Sequence, residues 1–413
     1  MNALTMPSNW QRVRLGDMTT SFTKQTGFDY SASIKPTLIK EQLPNYIPFI
    51  QNKDFLGHYI NYKTDYFIPN EIAIRFPQIL LNEKCLLISI SGAIGNVAVF
   101  NHSQNAFIGG AIAVLKFKEK KSLDFVMHFL MSASGQKLLL NSVKSSSHKN
   151  LTIADLRDLL IPLPPLNEQI AIANILSALD RYLYSLDALI LKKESVKKAL
   201  SFELLSQRKR LKGFNQAWQR VRLGDICYLK NGFSFKSDLF KNMGIPIIRI
   251  SNISSVDNCI NTNDLVFYDP ILIDNDYILK QGDLILAMSG ATTGKSCLYN
   301  LNKIAYLNQR VGVFRAKTSF CYDFLVQFVF SELFTSRLKL ILTAGAQPNI
   351  SSFDIEDFEI LLPPLDEQIA IANILSTLDH EIISLKNKKR QFDNIKKALN
   401  HDLMSAKIRV LKK

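Results

Sequence analysis

No two of the five cysteines (Cys85, Cys227, Cys259, Cys297, Cys321) form a CxxC pair, and their number is odd. That scatter leaves no disulfide framework and no zinc site to build on, and a reducing, cytoplasmic setting is expected. The six histidines (His58, His102, His128, His148, His380, His401) have no metal-ligand spacing. No apolar run approaches the roughly 18 residues that span a bilayer. The first ten residues lack a basic stretch leading into an apolar core, so no signal peptide is expected.

Catalytic signatures are equally scarce. There is no GxSxG elbow, no Cys/His nucleophile pattern, no glycine-rich strand-turn-helix for a nucleotide, and no Asn-Pro-Pro motif. The stretch from Gly290 to Ser296 comes nearest to a phosphate loop. That loop needs four residues between its glycines, and Gly290 and Gly294 have three. The matching stretch, Ser91 to Asn96, has no lysine. Both read as strand-connecting turns that offer backbone N–H groups and small side chains.

What the sequence does have is repetition. WQRVRLGD runs from Trp10 to Asp17 and again from Trp218 to Asp225, and EQIAIANILS runs from Glu168 to Ser177 and again from Glu367 to Ser376. The chain is a tandem duplication, which predicts two equivalent sites related by approximate two-fold symmetry. Identity concentrates at the ends of each copy and divergence fills the stretches between, as for a common frame holding two different readers.

The formal net charge is +14, which points to a polyanionic partner. The excess is spread over most of the chain, but residues 213–365 carry equal numbers of acidic and basic side chains. Any cations that act there must be gathered on one face.

The texture of each copy is α/β. Leu86–Ser91, Ile112–Phe117, Asp283–Met288 and Val311–Phe314 read as strands, and Leu123–Leu140 and Tyr322–Leu342 as helices. Prolines at 162, 164 and 165, and at 363 and 364, end the copies. A run of about 40 residues without glycine or proline follows each stop. Asn167 and Asp366 are the expected N-caps. Apolar residues step by threes and fours through Ile172, Ile175, Leu179, Tyr182, Leu186 and Leu189 and, after an interruption at Lys193, Val196 and Leu200. The second run matches at Ile371, Ile374, Leu378, Leu385, Phe392, Ile395 and Leu399, with Glu381 and Lys388 as polar interruptions. Such a seam predicts a coiled coil, with each helix as the other's antiparallel partner. The expected fold is α+β: two α/β domains (1–165 and 213–364) separated by two long helices (166–212 and 365–413), with internal pseudo-two-fold symmetry.

The repeated tryptophan-to-LGD motifs, the IPFIQNKDF and IPIIRISNI blocks, the SGAIGN and SGATTGK turns, and the doubled LPPLNEQIAIANILSALD and LPPLDEQIAIANILSTLD openings together resemble the specificity subunit of type I restriction-modification systems. The resemblance covers the whole chain. It implies two target-recognition domains, each reading one half of a bipartite double-stranded DNA site, with the helices as a ruler between them. It implies no cofactor on this chain. Two modification subunits that bind S-adenosylmethionine and methylate adenine, and two restriction subunits that use ATP and Mg, would be the partners. Glu168, Gln169, Glu367 and Gln368 at the helix openings are then the expected docking residues.

Candidate DNA contacts in the first copy are Lys53, Ser91 and the loop holding Lys144, Ser146, His148, Lys149 and Asn150. In the second copy they are Arg249, Ser289, Lys295, Arg310, Gln347 and Asn349, because Arg suits guanine, and Asn and Gln suit adenine. Other readings of the chain are a fused methyltransferase-nuclease remnant, or a coiled-coil scaffold without nucleic acid.

Overall fold

In the computed structural model, which describes residues 7–24, 30–142, 150–254, 258–343 and 349–410, the duplicated sequence becomes a duplicated topology. The chain divides into two compact units. One is Met1–Asp187 with Lys388–Lys413, and the other is Ala188–Asn387.

In the first unit a four-stranded sheet takes the order Thr19–Lys24, Ile112–Phe117, Cys85–Ser89, Val97–Phe100. A second takes the order Phe67–Pro69, Tyr46–Ile50, Ala106–Ile108, Leu80–Leu81. The second unit repeats both orders with Cys227–Asn231, Val311–Ala316, Leu284–Ala287, Ser296–Leu298 and with Val266–Tyr268, Ile245–Ile248, Ala305–Leu307, Ile278–Leu279. Within these sheets the strands of the described residues pair antiparallel except for one parallel pair per unit, Phe107 beside Phe49 and Tyr306 beside Ile247. Cys85–Ser89 and Leu284–Ala287 are buried at every residue. Strands covered on both faces read as continuous apolar runs rather than alternating ones, which is why they were visible in the sequence.

The repeated WQRVR string is a short strand in each unit, paired antiparallel with the residues just before the long helix. Gln11 faces Leu163, and Gln219 faces Leu362. The segment that opens each copy is thus clamped to the segment that closes it.

Each long helix has 40 residues, the central one spanning Leu166–Leu205 and the distal one Leu365–Met404. They begin a residue before the expected caps, so Asn167 and Asp366 are first-turn residues. They end short of 212 and 413. Leu123–Leu140 is also not one helix but two, Leu123–Met131 and Ala133–Asn141. Ser132 breaks it with an extended backbone, and its hydroxyl accepts the Gly135 N–H at 3.1 Å. A Cβ at Gly135 would stand 2.0 Å from the Phe129 carbonyl oxygen, so only glycine permits the tight corner.

Within each unit the two helical segments run antiparallel. In the first, Asp187 pairs with Lys389 at 2.6 Å and Tyr182 packs on Phe392 at 4.7 Å. In the second, Lys193 pairs with Glu381 at 2.6 Å and Glu194 with Lys386 at 2.7 Å. The seam is shifted from its expected phase. Ile172, Leu186 and Ile371 are buried as expected, but the buried stripe continues through Leu176, Asp180, Leu183 and Ile190, and on the distal helix through Leu375 and Ile382. Ile175, Leu189, Val196 and Ile395 face outward, at 36 to 50% exposed. Leu179, Ile374, Leu378 and Leu385 flank the seam, half-buried.

The buried Asp180 explains part of that shift. Its carboxylate takes an ion pair from Lys396 and lies 3.4 Å from His58 Nε2 and 3.9 Å from His128 Nδ1. His128 Nε2 is 2.9 Å from the Ser177 hydroxyl. The second unit builds the same junction with Lys197, Asp379, Ser376 and Gln327, whose Nε2 donates to Asp379 at 2.9 Å. Glutamine there replaces a titratable ring.

Burial lowers the pKa of His58, against Asp180, and pushes His128 down to about 3, with His58 and Lys396 adding to the fall. Both rings are neutral in the fold, whereas an unfolded chain protonates them near their ordinary 6.5. Stability is therefore full above about pH 6.5 and falls as the pH drops below it, by up to about 2 kcal/mol from His128 at pH 5. Melting curves at pH 7.5 and 5.5 should show that His128→Gln loses less on acidification than the parent. Equal losses would contradict the assignment.

Candidate nucleic-acid interface

Each unit gathers four backbone segments at one end of its sheets. In the first unit Gln51 caps the turn Asn52–Asp54, with the Asp54 carboxylate accepting the Gln51 N–H at 2.8 Å. Asn52 Nδ2 donates to the Ser91 carbonyl at 2.7 Å. The Ser91 turn needs its glycines, because Gly92 and Gly95 have φ of 72° and 85°. The Leu151 N–H donates to the Ile90 carbonyl at 3.0 Å, which places Asn150 beside that turn. The Ile90 N–H donates to Ala111 at 2.9 Å and the Gly109 N–H to Ile50 at 2.7 Å.

The second unit repeats the lacing. Arg249 caps Ile250–Asn252, and the Thr292 hydroxyl donates to the Ile250 carbonyl at 3.0 Å. The Ile350 N–H donates to Met288 at 2.9 Å, the Met288 N–H to Arg310 at 2.9 Å, and the Asn308 N–H to Ile248 at 3.1 Å. Ser289 and Asn349 bridge directly. The structure therefore brings Ser91, Asn150 and the loop of Lys53 together in one unit, and Arg249, Ser289, Lys295, Arg310 and Asn349 together in the other. Lys144, Ser146, His148, Lys149 and Gln347 lie outside the described residues. Gly290–Lys295 joins two neighbouring antiparallel strands, so it is a hairpin turn as expected and not a phosphate loop.

The cations in these clusters differ in availability. Lys53 is ion-paired with Asp65. Arg249 holds Asp264 at 2.9 Å and its carbonyl at 2.8 Å. Lys295 and Arg310 have no ion pair or side-chain hydrogen bond with the described residues. Among the described residues no group of three or more His, Cys, Asp or Glu side chains could hold a metal ion, and no helix is long and apolar enough to cross a membrane.

The expected docking residues turn inward. Glu168 and Glu367 are almost wholly buried, at 2% and 0% exposed. Glu168 accepts Arg409 at 2.6 and 2.8 Å, and Glu367 accepts Arg210 at 2.6 and 3.2 Å and the Trp218 Nε1–H at 2.8 Å. Gln169 and Gln368 each donate to a proline carbonyl at 2.7 Å. These four identities hold the fold together. Their identity between the copies, expected from two docked copies of one partner, is met here by two equivalent internal ion pairs whose arginines lie far along the chain.

A family model for the type I restriction modification DNA specificity domain matches residues 7–193 and 215–392. The chain is 27% identical to the type I restriction enzyme MjaVIII specificity subunit of Methanocaldococcus jannaschii, over 99% of this chain and 95% of that one. It is 27% identical to the EcoKI specificity subunit of Escherichia coli over 47% of this chain and 43% of the relative. Its fold matches the S subunit of a type I restriction-modification system from M. genitalium with a TM-score of 0.66 at 16% identity, covering 98% and 97% of the two chains. With two matched copies of the family's domain over most of its length, the chain belongs to the type I restriction-modification DNA specificity family.

Proposed function

We propose that this chain is the non-catalytic, DNA-reading subunit of its complex. The domains at 1–165 and 213–364 each read one half of a bipartite site, and the helices beyond them set the spacing. The observation that carries this is the doubled cluster of turns: one backbone lacing in both units, dressed with different side chains. A shared frame with divergent tips suits two half-sites of different sequence.

Chemistry is assigned to the partners. Two modification subunits would bring S-adenosylmethionine and methylate adenine, and two restriction subunits would bring nuclease activity and use ATP and Mg, in the cytoplasm. The docking face is not Glu168 and Gln169 but the outward stripe beside them. Ile170, Asn174 and Ile175 recur as Ile369, Asn373 and Ile374, and both asparagines are exposed. Identity on an exposed, partly apolar stripe suits two copies of one partner.

Incubated alone with duplex DNA and labelled S-adenosylmethionine, the chain should transfer no methyl group. Adding a modification subunit should give methylation at a bipartite motif. Transfer by the chain alone would overturn the assignment.

A further inference from the structure

The lacing equates two turns whose side chains have nothing in common. In the first unit the link between Ala106–Ile108 and Ile112–Phe117 is Gly109-Gly110-Ala111. In the second the link between Ala305–Leu307 and Val311–Ala316 is Asn308-Gln309-Arg310. The backbone bonds match one for one. The first residue of each donates to the end of the neighbouring parallel strand, Gly109 to Ile50 at 2.7 Å and Asn308 to Ile248 at 3.1 Å. The third accepts from the strand that leads into the glycine turn, Ala111 from Ile90 and Arg310 from Met288, both at 2.9 Å. The same frame position is bare in one unit and carries two long hydrogen-bonding side chains in the other.

The second unit's turn is firmly mounted. Asn308 is buried, and the Val311 N–H closes the turn on its carbonyl at 2.9 Å. The Phe233 N–H holds the preceding Leu307 carbonyl at 2.8 Å, and a Cβ on Gly232 would meet the Asn308 oxygen at 2.2 Å, so the flanking strand lies flush against it. Gln309 and Arg310 are exposed on this base. Neither has a side-chain partner among the described residues, whereas Arg249 would have to leave Asp264 to meet a ligand. Their side chains are those whose planar donor and acceptor sets match purine edges in the major groove: guanidinium to guanine O6 and N7, carboxamide to adenine N6 and N7.

We propose that Gln309 and Arg310 are specificity-determining residues of the second unit, Arg310 reading a guanine and Gln309 an adenine of its half-site. This rests on the DNA-reading function above.

The test uses the chain assembled with its modification subunit and maps methylated motifs across a genome. Gln309→Gly combined with Arg310→Ala copies the first unit's Gly110-Ala111 and so keeps a turn this frame already supports. It should relax one or two purine positions by about ten-fold or more each. They should lie in the half-site that stays fixed when residues 18–160 are exchanged. Arg310→Ala alone should relax the guanine and leave the salt dependence of duplex binding unchanged.

An unrelaxed motif with a salt slope smaller by about one would make Arg310 a phosphate anchor and overturn the proposal. So would relaxation in the other half. Absence of any bipartite motif with the parent chain would instead sink the DNA-reading function itself.

Discussion

Asp180→Leu is expected to destabilise the first unit by about 3 to 5 kcal/mol, because removing one partner of a buried ion pair leaves the other charge unneutralised. Asp180 is 5% exposed and receives the Lys396 ammonium, whose side chain is only 20% exposed. The two histidines beside it are neutral and cannot take over. In a unit of this size each kcal/mol moves the melting midpoint by roughly 2–4 °C, so a fall of roughly 6–20 °C is expected. The double variant Asp180→Leu, Lys396→Met should recover much of the loss, since an apolar pair of similar volume is often no worse than a buried ion pair. If the double variant melts as low as the single one, the damage lies in packing and the charge argument fails. Asp379 should respond more mildly, because Gln327 and Lys197 surround it and its side chain is 31% exposed.

Neighbouring substitutions on the central helix should have opposite consequences. Leu176 is fully buried and Ile175 is 36% exposed. Leu176→Asp places an unpaired carboxylate among Ile172, Ala173 and Leu403 in the same core cluster, at a cost of several kcal/mol. Ile175→Asp adds a charge that water can reach, and it should melt within about 0.5 kcal/mol of the parent. If the outward stripe docks the modification subunit, Ile175→Asp should still weaken assembly, most clearly when combined with Ile369→Asp, on a side chain 41% exposed in the second copy. A chain that unfolds with Ile175→Asp and tolerates Leu176→Asp would restore the sequence-derived phase of the seam.

That one-residue difference in phase shows where the sequence was legible and where it was not. Duplication, the alternation of α/β domain and helix, and the two central strands of one sheet in each unit were visible, because identical strings and continuous apolar runs depend only on local composition. The seam was not, because apolar residues sit side by side at Ile175-Leu176 and Leu189-Ile190, and a spacing of threes and fours accepts either. The true stripe also passes through Asp180, which a rule that looks for apolar residues must skip. The burial of Glu168 and Glu367 was also not legible, since their arginine partners are set by the fold and not by nearby sequence. Of the candidate interface, Ser91, Asn150, Ser289 and Asn349 could be nominated singly from the matching turns and loops of the two copies, but not the backbone bonds that bring each pair together. Gln309 could not, because its turn differs in every residue from its counterpart.

The central claim is that two separate units each read half of one site. Exchanging residues 18–160 for the matching region of a relative and mapping the methylated motif tests it most directly. One half of the bipartite motif should take on a new sequence while the other half and the spacer length stay the same. A change in both halves, or a new spacer with both halves retained, would contradict it.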